Sequence, residues 1–203
     1  MKRILVCIIF AAAFISFSFM RKEISSLPIG SAIPKTELKI KEIGGKEITL
    51  LDAKKENGLL VMFSCNTCPY VINNQSRTKE ICAYSLEKKI GVILLNANEG
   101  GREYGESFSD MQSYGKEQQY NWYYAIDSKN VLADAFGANR TPECFLFNRN
   151  NKLVYHGAID DSPGDISQVK RHYLKEAINE TIAGKEVSIK ESRSVGCSIN
   201  RIR

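Results

Sequence analysis

Seven consecutive residues, Gly58-Leu59-Leu60-Val61-Met62-Phe63-Ser64, run without a charge straight into Cys65-Asn66-Thr67-Cys68-Pro69. An unbroken apolar run with no polar alternation is the pattern of a strand buried on both faces. Such a strand needs cover on both sides of its sheet, which points to an α/β architecture. From about Thr67 to Lys89 the pattern turns helical. The two cysteines therefore sit where a buried strand gives way to a helix, at the carboxyl edge of the sheet, where loops build sites.

A strand–CxxC–helix junction has definite chemistry. Unpaired N–H groups and the positive end of the helix dipole point at the Cys65 sulfur and favour its thiolate. Cysteines so placed have pKa values lowered to roughly 3.5–7.5. A spacing of two at a helix start brings Cys68 close enough to close a disulfide after Cys65 has attacked. Pro69 fits just inside the helix, where its missing N–H costs nothing. Two alternatives stand beside this redox reading. Zinc needs two further ligands, and the two histidines, His156 and His172, are isolated, with no second CxxC in the chain. A purely structural disulfide closing so short a loop would add little stability.

The rest of the chain sets the context. Lys2 and Arg3 precede an almost unbroken apolar run, Ile4 to Phe19, before Arg21 and Lys22. This reads as a secretory signal, with an uncleaved membrane anchor as runner-up because the run is slightly short for a span of about 20 residues. Export to the periplasm or cell envelope is expected. The formal charge of +5 falls to +3 when Met1 to Ser18, with Lys2 and Arg3, is removed. So mild an excess, without a basic cluster, argues against nucleic acid as a partner. Cys65, Cys68, Cys82, Cys144 and Cys197 remain after the apolar run. Their odd number leaves at least one thiol unpaired in a monomer.

Further elements follow in order. "LKIKEIGGKEITL" alternates on both sides of Gly44-Gly45 and predicts a small hairpin. "GVILLNA" is a second buried strand, "SFSDMQSYGKEQQY" a helix, "WYYAID" a short strand and "VLADAFGA" a short helix stopped by Gly137. "RTPECFLFN" and "KLVYHGAID" form an antiparallel hairpin through Arg149-Asn150-Asn151. Ile166 to Ile182 carries apolar residues at helical spacing. These elements make one mixed-sheet α/β domain over 27–184, after a signal or anchor over 1–22 and before a polar tail over 185–203.

Thr141-Pro142, placed after a short helix and just before an apolar strand, adds a second mark. Together with "LPIGSAIP", "LLVMFSCNTCPYV", "FGANRTPECFLFN", "YHGAIDD" and the terminal "VGCSI", it resembles the thioredoxin superfamily, and within it the redoxin (AhpC/TSA-like) branch, from about Ile29 to Ile199. The resemblance implies a three-layer α/β/α thioredoxin-like fold with a mixed sheet, here extended by the N-terminal hairpin. It implies that Cys65 attacks, that Cys68 resolves through a redox-active Cys65–Cys68 disulfide, and that Pro142 is cis and packs against that disulfide.

The chain departs from peroxiredoxins of the same broad family. Met62 stands where they carry Thr or Ser, and Gly58 where they carry proline, so a thiol peroxidase is the lesser reading. Cys82 and Cys144 are expected to pack in the core, with a third redox thiol as the alternative for Cys144, and Trp122, Tyr123 and Tyr124 are expected to pack there too. Glu143 is expected to face solvent, or else to tune the thiol. Cys197, on a polar and exposed tail, is expected to be an inert thiol or structural anchor, with a regulatory, metal-binding or partner-linking role as the alternative.

The expectation is an exported thiol–disulfide oxidoreductase that needs no metal or organic cofactor. Its partners would be client proteins bearing disulfides or thiols, and a thiol electron donor or acceptor. A client would lie extended beside Thr141 and Pro142, pairing with the strand edge. The competing class is a non-enzymatic copper- or client-binding module, for which His156 would have to approach the cysteine pair.

Overall fold

The computed structural model describes residues 25–202, so the expected signal or anchor over 1–22 lies outside the described residues. The central sheet has five strands, β3 (Gly58–Ser64), β4 (Ile90–Asn96), β5 (Tyr123–Ile126), β7 (Glu143–Asn148) and β8 (Leu153–Gly157), in the order β5-β4-β3-β7-β8. β3, β4 and β5 run parallel, while β7 and β8 are antiparallel to their neighbours. The parallel half is reached through helices and the antiparallel half through a tight turn, as connection lengths require. All seven residues of β3 and all seven of β4 are buried, the result that their unbroken apolar runs demand.

The two faces of the sheet carry separate cores. Leu59, Val61 and Phe63 of β3 pack on one side with Phe136, Phe145 and Phe147, and the rings of Phe63, Phe136 and Phe145 meet edge to face. Leu60 and Met62 pack on the other with Ile81, Cys82, Cys144 and Leu174. The alternation follows directly from the two-residue period of a strand. Cys82 and Cys144 are thus core residues, both fully buried. Layers on either side of the sheet make the expected three-layer thioredoxin-like fold. The helices are α1 (Leu50–Ala53), α2 (Pro69–Asn73), α3 (Gln75–Glu87), α4 (Phe108–Glu117), α5 (Val131–Phe136) and α6 (Tyr173–Ile182). The N-terminal hairpin is present as β1 (Ile40–Lys41) paired with β2 (Glu47–Ile48).

Gly58 opens β3 at φ 139°, where a Cβ would overlap the Phe147 carbonyl oxygen of the neighbouring strand. Only glycine lets the two backbones approach this closely.

Two expectations fail at the carboxyl end. Where a helix is predicted from Ile166, only a single 3-10 turn forms over Ile166–Gln168 and the α-helix begins at Tyr173; Ile166 is exposed. The intervening loop is held by carboxylates: Asp161 accepts the Lys170 N–H at 2.9 Å, and Asp165 accepts the Ser167 N–H at 2.9 Å. Side chains of this kind compete with helical hydrogen bonds. The tail is not a free polar segment either. It folds back along the domain, buries Val187 and Ile199, and carries a short strand, β9 (Cys197–Ser198), paired antiparallel with β6 (Arg140–Thr141).

Candidate active site

β3 delivers Cys65 to the carboxyl edge of the sheet, and Pro69 starts α2 four residues later, as the sequence indicates. The Thr141–Pro142 bond is cis. Thr141 is fully buried and touches both cysteines of the motif. Its Oγ1 lies 3.4 Å from the Cys65 sulfur, and its carbonyl oxygen 3.5 Å from the Cys68 sulfur.

The disulfide is not the expected one. Cys68 is bonded to Cys197, 129 residues away, and Cys65 is a free, fully buried thiol. Bonded to Cys197, the Cys68 sulfur has no hydrogen to donate, so its approach to the Thr141 carbonyl is a contact only. The alternative pairing arises because β9 lies beside β6, with Cys197 directly opposite Thr141. Sequence proximity favoured Cys65 as the partner of Cys68, whereas the returning tail brings a third sulfur to the same place. Cys65, Cys68 and Val71 form a small buried cluster, with Cys197 packed against it.

The Cys65 thiol also differs from expectation. Burial, and then the negative charge of Glu106, push its pKa up from 9.0 to about 11. The Thr141 hydroxyl and the Cys68 and Thr67 amides act the other way and are outweighed. The expected depression rested on unpaired N–H groups and the dipole of a helix start. Here the sulfur is desolvated, and desolvation disfavours the charged form.

Glu106 is the site residue that sequence reasoning missed. It is 1% exposed and braces the Asn66-Thr67 dipeptide between the two cysteines. Its carboxylate accepts the Asn66 N–H at 3.0 Å, the Thr67 N–H at 3.0 Å, the Thr67 hydroxyl at 2.6 Å and the Asn96 amide at 2.6 Å. Asn66 is fixed from both ends: its Nδ2 donates to the Gly105 carbonyl, and its Oδ1 accepts the Tyr124 hydroxyl at 2.8 Å. Arg102 donates to the Asn96 side chain and to the Glu106 carbonyl at 2.8 Å each. Nothing in the sequence around Glu106 marks it, because its partners come from two separate segments, the Asn66-Thr67 loop and the end of β4 at Asn96.

Glu143 is buried, not solvent-facing, and its carboxylate accepts the Asn139 and Arg140 N–H groups at 2.8 and 3.0 Å, fixing the turn before Thr141. Tyr124 is a core residue, as expected, but its hydroxyl belongs to the site. Trp122 and Tyr123 are only partly buried. His156 stacks on Phe145 and faces Glu191, its Nε2 3.6 Å from that carboxylate. Among the described residues, no group of three or more His, Cys, Asp or Glu side chains is arranged to hold a metal ion.

Solved structures of similar fold fall into two sets. A hypothetical protein from Sinorhizobium meliloti 1021 superposes with TM-score 0.80 at 28% identity, over 88% of this chain and 97% of that one. An uncharacterized conserved protein from Geobacillus kaustophilus gives TM-score 0.79 at 28% identity, over 87% and 93%. More distantly, the thioredoxin domain of a thiol-disulfide oxidoreductase from Bacteroides vulgatus gives TM-score 0.54 at 16% identity, over 66% and 90%, a likeness of fold alone. No curated protein matches the sequence. The redoxin family model matches residues 28–172, and with the thioredoxin-like sheet, the CxxC at the end of β3 and the cis Thr141–Pro142 bond in place, the chain belongs to the redoxin family.

Proposed function

We propose that the protein is an exported thiol–disulfide oxidoreductase in which Cys65 is the nucleophile, Cys68 the resolving cysteine, and Thr141-Pro142 the edge on which a client lies. One observation carries this reading: the Cys65 thiol and a disulfide of its own motif partner share one buried cluster against Thr141. Exchange proceeds by attack of a thiolate on a disulfide sulfur through a mixed disulfide. Cys65 and Cys68 stand together here, but Cys68 is held by Cys197. A thiol donor must therefore first reduce the Cys68–Cys197 bond, leaving the donor oxidised and Cys68 and Cys197 as thiols. The Cys65 thiolate would attack a client disulfide, forming one S–S bond to the client and expelling a client thiolate. Cys68 thiolate would then attack the Cys65 sulfur and expel the second client thiolate, leaving an oxidised pair and a reduced client.

Glu106 fixes the backbone of the Asn66-Thr67 dipeptide between the two cysteines. Met62, buried in β3, brings no hydroxyl to the thiol, which favours disulfide exchange over peroxide reduction. A disulfide between Cys68 and Cys197 accords with an oxidising compartment outside the cytoplasm.

The test is covalent capture of clients from exported protein on non-reducing gels. The Cys68→Ala/Cys197→Ala variant is the proper trap, because removing Cys68 alone would free the Cys197 thiol beside the site. It should accumulate adducts that dissolve in dithiothreitol, and the further change Cys65→Ala should abolish them. A trap variant that captures nothing sinks the oxidoreductase reading.

A further inference from the structure

The edge that a client would use is already occupied by the chain itself. β9 pairs with β6 in the register Thr141–Cys197 and Arg140–Ser198, and Ile199 continues the pairing by donating its N–H to the Asn139 carbonyl at 3.1 Å. This is an extended segment laid against the strand edge that leads into cis Pro142. It also carries a cysteine in disulfide linkage to the motif. In strand pairing and cysteine placement the tail has the features of a bound client, but its disulfide is to Cys68, whereas a client would be linked to Cys65.

The tail reaches this position along a defined track. Ser192 meets the β8 edge, donating its N–H to the His156 carbonyl at 3.1 Å, while its hydroxyl accepts the Ala158 N–H at 2.9 Å. Gly196 passes over Thr141 so closely that a Cβ would overlap the Thr141 carbonyl oxygen. Beyond β9, Asn200 donates its N–H to the Asn98 side chain at 3.0 Å and its carbonyl accepts the Gly100 N–H at 2.9 Å. All three sulfurs are thereby gathered at one residue, Thr141, with Cys65 fully buried and Cys197 only partly so.

We propose that Cys197 is the third cysteine of the redox centre and that its strand is an internal stand-in for a client, so that the Cys68–Cys197 form is a closed state which Cys65 opens by attacking Cys68. The inference rests on the oxidoreductase reading above. In the opening step Cys65 gives its proton to solvent, and its thiolate attacks the Cys68 sulfur. The Cys65–Cys68 bond forms as the Cys68–Cys197 bond breaks, and Cys197 leaves as a thiolate that takes up a proton. The step exchanges one disulfide for another, so no oxidant or reductant is consumed. It frees the partly exposed Cys197 thiol and removes the covalent tie that holds β9 on the client edge. The reverse step, attack of Cys197 on Cys68, returns Cys65 to its buried thiol form and closes the edge again.

The experiment is disulfide mapping of the full chain by mass spectrometry, after oxidation with one equivalent of oxidised glutathione and acid quenching at intervals. Amide hydrogen exchange at residues 196–199 is followed in parallel. Wild type should contain both Cys68–Cys197 and Cys65–Cys68 linkages, interconverting faster as pH rises. Cys65→Ser should hold only Cys68–Cys197, with the tail amides protected. Cys197→Ser should hold only Cys65–Cys68, with exchange at 196–199 at least tenfold faster. Gly196→Ala, which crowds β9 against Thr141 without touching a sulfur, should shift the wild-type ratio at least tenfold toward Cys65–Cys68. The proposal is overturned if wild type holds Cys68–Cys197 alone at every pH, or if Cys197 stays reduced throughout. The client-capture experiment uses a chain without Cys197, so it can succeed when this one fails, and the converse also holds.

Discussion

Replacing Glu106 by Gln should make Cys65 a better nucleophile while weakening the fold around it. With a pKa of about 11 in place of 9.0, ionising the Cys65 thiol costs about 3 kcal/mol more than for an ordinary cysteine, at 1.36 kcal/mol per pKa unit. At neutral pH only about one thiol in 10⁴ is then ionised, a hundredfold below an unperturbed thiol. Burial is the larger cause and the Glu106 charge the second, so Glu106→Gln should lower the titration midpoint without bringing it down to 9. Alkylation of Cys65 by iodoacetamide at pH 8 should accelerate, by less than about a hundredfold. The structural cost is local. Glutamine keeps one oxygen for the Thr67 donors but turns an NH₂ toward the Asn96 amide. Asn96 cannot turn round to accept it, because its Oδ1 is engaged by Arg102 and by the Asn98 N–H. Leaving a buried donor without an acceptor costs about 1–3 kcal/mol. The assay is alkylation rate against pH, read at Cys65 by peptide mass spectrometry on protein whose Cys68–Cys197 bond is intact. A wild-type midpoint below 8, or an unchanged midpoint in Glu106→Gln, would refute the electrostatic account.

The same shift predicts a pH dependence of stability. Because the folded pKa of Cys65 lies above the unfolded value, its contribution is fully present below pH 9 and fades by about 3 kcal/mol as pH climbs toward 11. Denaturant titrations of wild type and Cys65→Ser should diverge in that window and run parallel below it. Asp127 acts alike at lower pH. Burial raises it from 3.8 to about 6, against the Leu132 and Ala133 N–H groups that it accepts. Stability should therefore fall by about 3 kcal/mol between pH 4 and 6 on its account, and Asp127→Asn should flatten that slope. Arg77 on α3 donates to both oxygens of buried Asp160, at 2.9 and 2.8 Å, and to the Ser162 carbonyl at 2.8 Å. Asp160→Ala strands a buried guanidinium and should cost about 3–5 kcal/mol. That loss is visible as a lowered Tm, and an unchanged Tm would show that water reaches the pair.

Local pattern alone determined much of this protein. The unbroken run Gly58–Ser64 could only be a strand buried on both faces, and the CxxC with Pro69 could only begin a helix at its end. The alternation around Gly44-Gly45 fixed the first hairpin, and Gly137 ended α5 because it takes the left-handed conformation, at φ 64°. Each of these signals spans a few residues and rests on chain geometry or on the period of a helix or strand, so it survives in one dimension. The site needed more. Glu106 is a single glutamate in a loop until Asn66, Thr67 and Asn96 are brought to it. Cys197 finds Cys68 only because the tail returns to pair with β6, across 129 residues of intervening chain. The direction of the Cys65 pKa shift reversed for the same reason. A helix start is visible in sequence, whereas the depth at which a sulfur lies, and the charge that faces it, belong to tertiary structure alone.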